Sequence, residues 1–261
     1  MKNWWKKFHL FFGLICVVLP MMIFKMTKRK NIHKRHLIYV FISLGFFLVS
    51  LKLSSQINLN FAWYFNHSKI DLSDLPFKTM NADSLSFENL KCYISKIECL
   101  KDDQVVYAEN NSFHLLDAAI EESLKISIAC NRPFNKIRFL LGVDSVTSVS
   151  GAMGGDLDPS LGMYWTWQSG YINCKIEGTS RLCKNPKKTF QFHLGGYAYP
   201  FKNYRVLNFN TNGSDSQHIM IQMADWFKAC QLQQTDHLMS PSAKAQDMMR
   251  IFSDCFKLST P

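Results

Sequence analysis

Met163, Trp165 and Trp167 recur at every second position of the run MYWTWQSGY, 163–171. In a strand, side chains two apart project to one face. Thioether sulfur and imidazole suit soft Cu(I), and indole is an oxidisable neighbour, so this stripe could line a redox or metal pocket. It could equally be core, since large aromatics dominate β-rich interiors. Spacing alone leaves both readings open. His218 and Met220 are also two apart and could form an independent soft pair. Asp156 and Asp158, in GGDLDP, invite a hard cation, but two carboxylates without further oxygen ligands read better as a solvated turn. His67 and His237 lie in polar stretches and read as solvated. No nucleophile elbow, phosphate loop or HExxH occurs, and no acid–base pair stands at a readable spacing, so enzyme chemistry has no positive signal.

The elements that must hold these residues read as strands. Ile57, Leu59, Phe61, Trp63 and Phe65 alternate with Asn58, Asn60, Ala62 and Tyr64, the period of a half-buried strand. Similar runs at 84–99, 105–108, 124–128, 136–143, 163–176, 189–194, 204–210 and 218–223 are rich in β-branched and aromatic residues. They are bounded by Gly, Pro, Asn or Asp. Between 142 and 162 lies a long polar, Gly-rich connection of the kind that is usually functional or disordered. Only the tail differs: Ala245, Met248, Met249, Phe252 and Phe256 follow Ser-Pro-Ser at helical spacing, which predicts a helix over 242–256 packed on the strands. Many short strands without alternating helices predict an all-β, Greek-key-like β-sandwich with a C-terminal helix, over residues 57–261.

Residues 1–56 are of another kind. Apolar runs at 8–24 and 37–51 flank the basic stretch 25–36, so one or two N-terminal hydrophobic helices are expected ahead of the sandwich. Lys- and Arg-rich loops stay cytoplasmic, so a hairpin of two membrane helices would leave the larger domain outside. Both runs are shorter than the roughly 20 apolar residues of a full span, and the stretch from Met26 to Gln56 also reads as a complete signal sequence, with Met26 rather than Met1 as the start. Either way the domain is exported, to the periplasm or cell envelope, anchored in the membrane or released. A buried helical hairpin of a soluble protein is the remaining alternative. The formal charge of +10 does not point to nucleic acid: residues 1–36 hold nine of the thirty Lys and Arg and no acidic residue, leaving 21 basic against 20 acidic side chains.

Seven cysteines follow residue 56, an odd number that leaves at least one unpaired or paired between chains. Cys92 and Cys99 lie seven apart in one expected strand, about 23 Å along it and on opposite faces, so they cannot bridge each other. Cys174 and Cys183 flank a turn expected near Gly178 and Thr179, which would set them opposite one another as a disulfide. No CxxC or paired Cys/His spacing suggests structural zinc.

The run MYWTWQSGYINCKIEG, 163–178, resembles the signature of the MbnP-like family, methanobactin-associated periplasmic copper-binding proteins. LKCYIS at 90–95, FHLLD at 113–117, IRFLLGV at 137–143, FQFHLG at 190–195 and MSPSA at 239–243 follow in the family's order, so the likeness runs from about 57 to 258. After His193 the chain departs from the family's pattern with GGYAYP. The resemblance implies an exported β-sandwich that binds one copper ion without catalysis. In some members the copper lies beside a tryptophan oxidised to kynurenine by a dihaem, peroxidase-type partner enzyme. It makes Trp165 and Trp167 the candidates for oxidation, His193 and His114 the candidate imidazole ligands, and Met163 a soft ligand. The competing expectation is a membrane-anchored interaction module without metal, whose tryptophan face is core and whose 144–162 connection meets a partner.

Overall fold

The structure, a computed structural model, describes residues 56–72, 77–78, 85–167 and 170–259. The two N-terminal apolar runs lie outside the described residues, and among the described ones no helix is long and apolar enough to cross a membrane.

The fold is all-β, with fifteen described strands and a few helices. In chain order these are β1 (Ile57–Phe65), β2 (Ser68–Lys69), β3 (Phe77–Lys78), β4 (Ser86–Lys101), β5 (Gln104–Ala108), β6 (Phe113–Asp117), β7 (Lys125–Ile128) and β8 (Lys136–Leu141). Then come β9 (Tyr164–Trp165), β10 (Gly170–Thr179), β11 (Thr189–Gly195), β12 (Arg205–Asn210), β13 (Ser216–Gln222), β14 (His237–Leu238) and β15 (Phe256–Ser259). One sheet runs β15-β13-β1-β2, with β7 also on β1; the other runs β12-β8-β4-β10-β11-β14, with β3, β5 and β6 on β4 and β9 on β10. Two pairings are parallel, β1 with β13 and β11 with β14.

β1 has the bounds and the alternation expected of it: Ile57, Leu59, Phe61 and Trp63 are buried, and Asn58 is exposed. Those four join residues of both sheets, together with the helices Met223–Cys230 and Ala243–Ser253, in a single apolar core. The second helix starts where Ser-Pro-Ser predicted, with the Ser242 hydroxyl accepting from the Ala245 amide at 3.2 Å, an N-cap that satisfies one otherwise orphaned donor. It buries Ala245, Met248, Met249 and Phe252, and stops before Phe256, which opens β15.

β4 is the spine of the larger sheet. One of its edges carries β10 and then β8, and the other carries β6 and then β5. Its register slips between Ser95 and Glu98, where Lys96 takes a left-handed φ of 51°. The extra residue resets the alternation, so Cys92, Ile94, Ile97 and Cys99 all face the main core. Cys92 and Cys99 therefore share a face, against the expectation of opposite ones; their separation along the strand still keeps them apart.

The run read as one strand over 163–176 is broken in two. β9 ends at Trp165, and β10 continues through Gly178 to Thr179. Gly178 is thus a strand residue rather than a turn. A Cβ there would lie 2.0 Å from the Ser86 carbonyl oxygen and 2.7 Å from the Phe190 ring, an approach only glycine allows. The hairpin turn falls after Thr179, and β10 pairs with β11 so that Cys174 stands opposite Leu194, with Cys183 beyond the strand end. The expected Cys174–Cys183 disulfide is corrected accordingly: both are free, buried thiols.

Candidate functional site

The larger sheet has a second apolar cluster on the face turned away from the main core. Tyr93, Leu115, Val143, Leu157, Met163, Trp165, Tyr171 and Ile172 form it, with Phe113 and Tyr164 packed against them. The 142–162 connection, expected to lack structure, is its cover. A short helix, Ser145–Val149, is capped by Asp144, and two 3-10 turns follow. Tyr93 donates its hydroxyl to the Asp156 carbonyl at 2.9 Å, and the Tyr171 hydroxyl accepts from the Met153 amide at 3.0 Å. The Asp156 carboxylate accepts from the Leu115 amide and that of Asp158 from the Ser160 amide, so both pin backbone, as the turn reading expected.

Trp165 and Met163 are buried in this cluster, whereas Trp167 is 64% exposed. The two indoles lie 5.6 Å apart, centroid to centroid. The Trp165 ring rests on Gly195: a Cβ there would come within 2.7 Å of its Cζ3. Its Nε1–H is buried and has no hydrogen-bond partner. A buried donor left unpaired costs about 1–3 kcal/mol, so this N–H calls for an acceptor.

His193 lies two residues before Gly195 on β11 and so shares the face on which Trp165 sits. It is buried, and across the sheet it stands in register with Lys175, then Lys91, then Asp117. Its Nε2 lies 2.7 Å from Glu177 Oε1. A carboxylate can only accept, so Nε2 carries the proton, and the lone pair of the neutral ring falls on Nδ1, the nitrogen left for a metal. Glu177 also accepts from Asn89 Nδ2 at 3.1 Å and has Lys175 Nζ at 3.8 Å. Burial alone would raise its carboxyl. The His193 hydrogen bond, the charges of Lys175 and His193, and the Asn89 amide outweigh that and hold it below the ordinary carboxylate range. A depressed carboxyl contributes stability above its unfolded value of about 4.3 and loses it as pH falls through the folded value. Glu177→Gln is therefore expected to flatten the acid limb of stability below about pH 4.3, as read from unfolding midpoints of the two proteins across pH. Superimposable profiles would show that the pair is not coupled to folding.

His114 is not brought to this point. On β6, Phe113 and Leu115 belong to the outer cluster, while His114 stands opposite the core-facing Ile94, on the other face of the sheet. Its Nε2 lies 2.8 Å from Glu109 Oε2, which also accepts from Ser112 Oγ at 2.5 Å. The expected meeting of both imidazoles with the tryptophan stripe thus reduces to one imidazole. His218 is exposed on the solvent side of β13, 3.3 Å from Ser216 Oγ, and makes no joint site with the others. Among the described residues no group of three or more His, Cys, Asp or Glu side chains is gathered for a metal ion. The residues that the sequence reading passed over are Lys175, Glu177 and Gly195. Two charged residues, two apart in a strand otherwise without charge, were the available signal.

These features describe an all-β protein whose candidate site lies on the outer face of a curled sheet, under a folded connection. The chain belongs to the MbnP family, whose profile, described as MbnP, matches residues 54–245. Among solved structures, MbnP from Methylosinus trichosporium is similar at 15% sequence identity, with a TM-score of 0.52 over 66% of this chain and 77% of that one, a likeness of fold. No curated protein matches the sequence.

Proposed function

We propose that this chain is an exported, non-enzymatic copper-binding protein, with Nδ1 of His193 as the imidazole ligand and Trp165 and Met163 lining the same pocket. The observation that carries the reading is the shared face of His193 and Trp165 over Gly195, with Met163 buried in the same outer cluster as Trp165. One imidazole and one thioether would make a soft, low-coordinate donor set, with an indole ring as neighbour, that fits Cu(I) better than a hard cation. Glu177 orients the ring and raises its basicity, as outer carboxylates do at histidine metal sites. Of the two candidate tryptophans, Trp165 is the one seated on Gly195, two residues from His193 on the same face, so it is the one to carry an oxidation to kynurenine. The two facing sheets are read as the Greek-key-like sandwich expected of the family. Residues 1–56 would direct the domain to the periplasm or cell envelope, or hold it at the membrane.

Copper bound in a one-to-one ratio is expected in full chain prepared with copper, measured by elemental analysis. It should be lost in His193→Ala and kept in His114→Ala, and copper retained in His193→Ala would remove the assignment. The mass of the tryptic peptide holding Trp165 and Trp167 reports any oxidation.

A second reading is favoured by a different observation. Val146, Val149, Met153 and Leu161, exposed by 76, 70, 45 and 37%, lie on the cover segment, and Trp167, 64% exposed, follows just after β9. Exposed apolar side chains grouped on one segment suit a docking surface. That is what a membrane-anchored interaction module would present, and a dihaem, peroxidase-type enzyme docking there would reach both indoles. Absence of bound copper together with unmodified tryptophans would favour the module without metal.

A further inference from the structure

β4 places two of its cysteines beside cysteines of other segments. Cys92 stands directly opposite Cys174 in the antiparallel register of β4 and β10, and both side chains face the main core. Residues opposed in this way have Cα atoms about 4.5–5.5 Å apart, within the roughly 4.4–6.8 Å that a disulfide spans. Seven residues on, beyond the bulge at Lys96, Cys99 turns into the same core as Cys130, which follows β7, and the two thiols are near enough to interact. All four sulfurs are buried among apolar residues.

We propose that this chain, when oxidised, carries two disulfides, Cys92–Cys174 and Cys99–Cys130, both anchored on β4. The first ties the central strand to β10, the strand that carries Glu177. The second joins the larger sheet to the end of β7 in the smaller one, so the two layers become covalently linked. Neither pair was legible beforehand: the first needs the register of β10 and the second needs the bulge that turns Cys99 inward.

Each bond forms by exchange with an external disulfide, either of a small molecule such as glutathione disulfide or of a thiol–disulfide oxidoreductase. One cysteine thiolate attacks a sulfur of that disulfide, expelling one thiol and leaving a mixed disulfide. The second cysteine thiolate then attacks the first cysteine's sulfur and expels the other thiol. Two protein thiols lose two protons and two electrons, and the external disulfide is reduced to two thiols. Burial pushes the Cys92, Cys99 and Cys174 thiols far above their ordinary value, so thiolate is scarce once the core has closed. The bonds are therefore made while the chain folds, and the folded reduced protein exchanges slowly.

The test uses the full chain, unfolded under reducing conditions, refolded in a mixture of reduced and oxidised glutathione, alkylated in denaturant and digested with trypsin without reduction. The peptide 92–96 should appear joined to the peptide holding Cys174, and 97–101 joined to the peptide holding Cys130. The midpoint of urea unfolding should fall when reductant is added, and should no longer fall when all four residues are changed to valine. Recovery of the four as alkylated thiols, or joined in other combinations, overturns the proposal. Should the valine variant fail to fold, the peptide map of the unaltered chain decides by itself. Because glutathione is supplied, the outcome does not depend on where the protein resides in the cell.

Discussion

Trp226→Ala is expected to lower the unfolding free energy by roughly 3–5 kcal/mol, the range for removing a large buried aromatic. Trp226 is fully buried on the helix Met223–Cys230. It meets Phe192 edge to face at 5.1 Å and Phe227 at 5.2 Å, and donates its indole N–H to the Met248 carbonyl at 3.1 Å. Truncation would open a cavity between two helices and β11 and leave that carbonyl one partner short. Chemical denaturation followed by circular dichroism would measure the loss, and a change below about 1 kcal/mol would contradict the packing described. Trp63→Phe is the internal comparison. Trp63 stacks on Phe252 at 5.9 Å, but its own N–H has no partner, so replacing it with an aromatic hydrocarbon removes a cost along with some volume. That substitution should cost clearly less than Trp226→Ala, because an aromatic ring remains in the site and no hydrogen bond is lost.

Gly195→Ala should have the next largest effect, and at the candidate site itself. The added methyl would lie 2.6 Å from the Tyr171 carbonyl oxygen and 2.7 and 2.9 Å from two carbons of the Trp165 ring. The backbone oxygen belongs to the paired strand, so the methyl both strains the β10–β11 ladder and displaces the indole. Overpacking of this kind costs roughly 1–3 kcal/mol. Tryptophan fluorescence should shift to the red as Trp165 meets water, with a matching drop in melting temperature. Under the copper reading, metal affinity should also fall although His193 is untouched. An unshifted spectrum and an unchanged melting temperature would mean that the ring does not rest on the glycine.

Local pattern made some of this architecture readable and hid the rest. β1 shows a clean period of two because one of its faces is core and the other is polar. The helix Ala243–Ser253 shows its spacing and its serine cap for the same reason: only one stripe is buried. By contrast, β6 was not read as a strand, since Leu115, Leu116 and Asp117 are buried in succession between the main core and the outer cover. The helix Met223–Cys230 follows β13 without a break, has no side-chain cap, and is too short for periodicity to declare it. Gly178 looked like a turn because glycine usually is one between polar neighbours; only the approach of the Ser86 carbonyl explains it in a strand. At the site, the tryptophan stripe and His193 were visible as residue types. The partnership of His193 with Glu177 depends on which strand neighbours which, and the exclusion of His114 depends on which face of the sheet it occupies. Neither can be had from spacing within one segment.

The outer cluster and the main core share no side chain, although they lie on opposite faces of the same strands. Detaching the 144–162 cover would break the hydrogen bonds of Tyr93 and Leu115 to Asp156 and of Met153 to Tyr171, and uncover the outer cluster alone, while every sheet ladder and the main core stayed intact. Such an opening is far cheaper than melting the whole domain. Amide protons under the cover should then exchange on a faster clock than those of β4 and β10 beneath them, and the imidazole and indole become reachable from solvent in a protein that is otherwise fully folded.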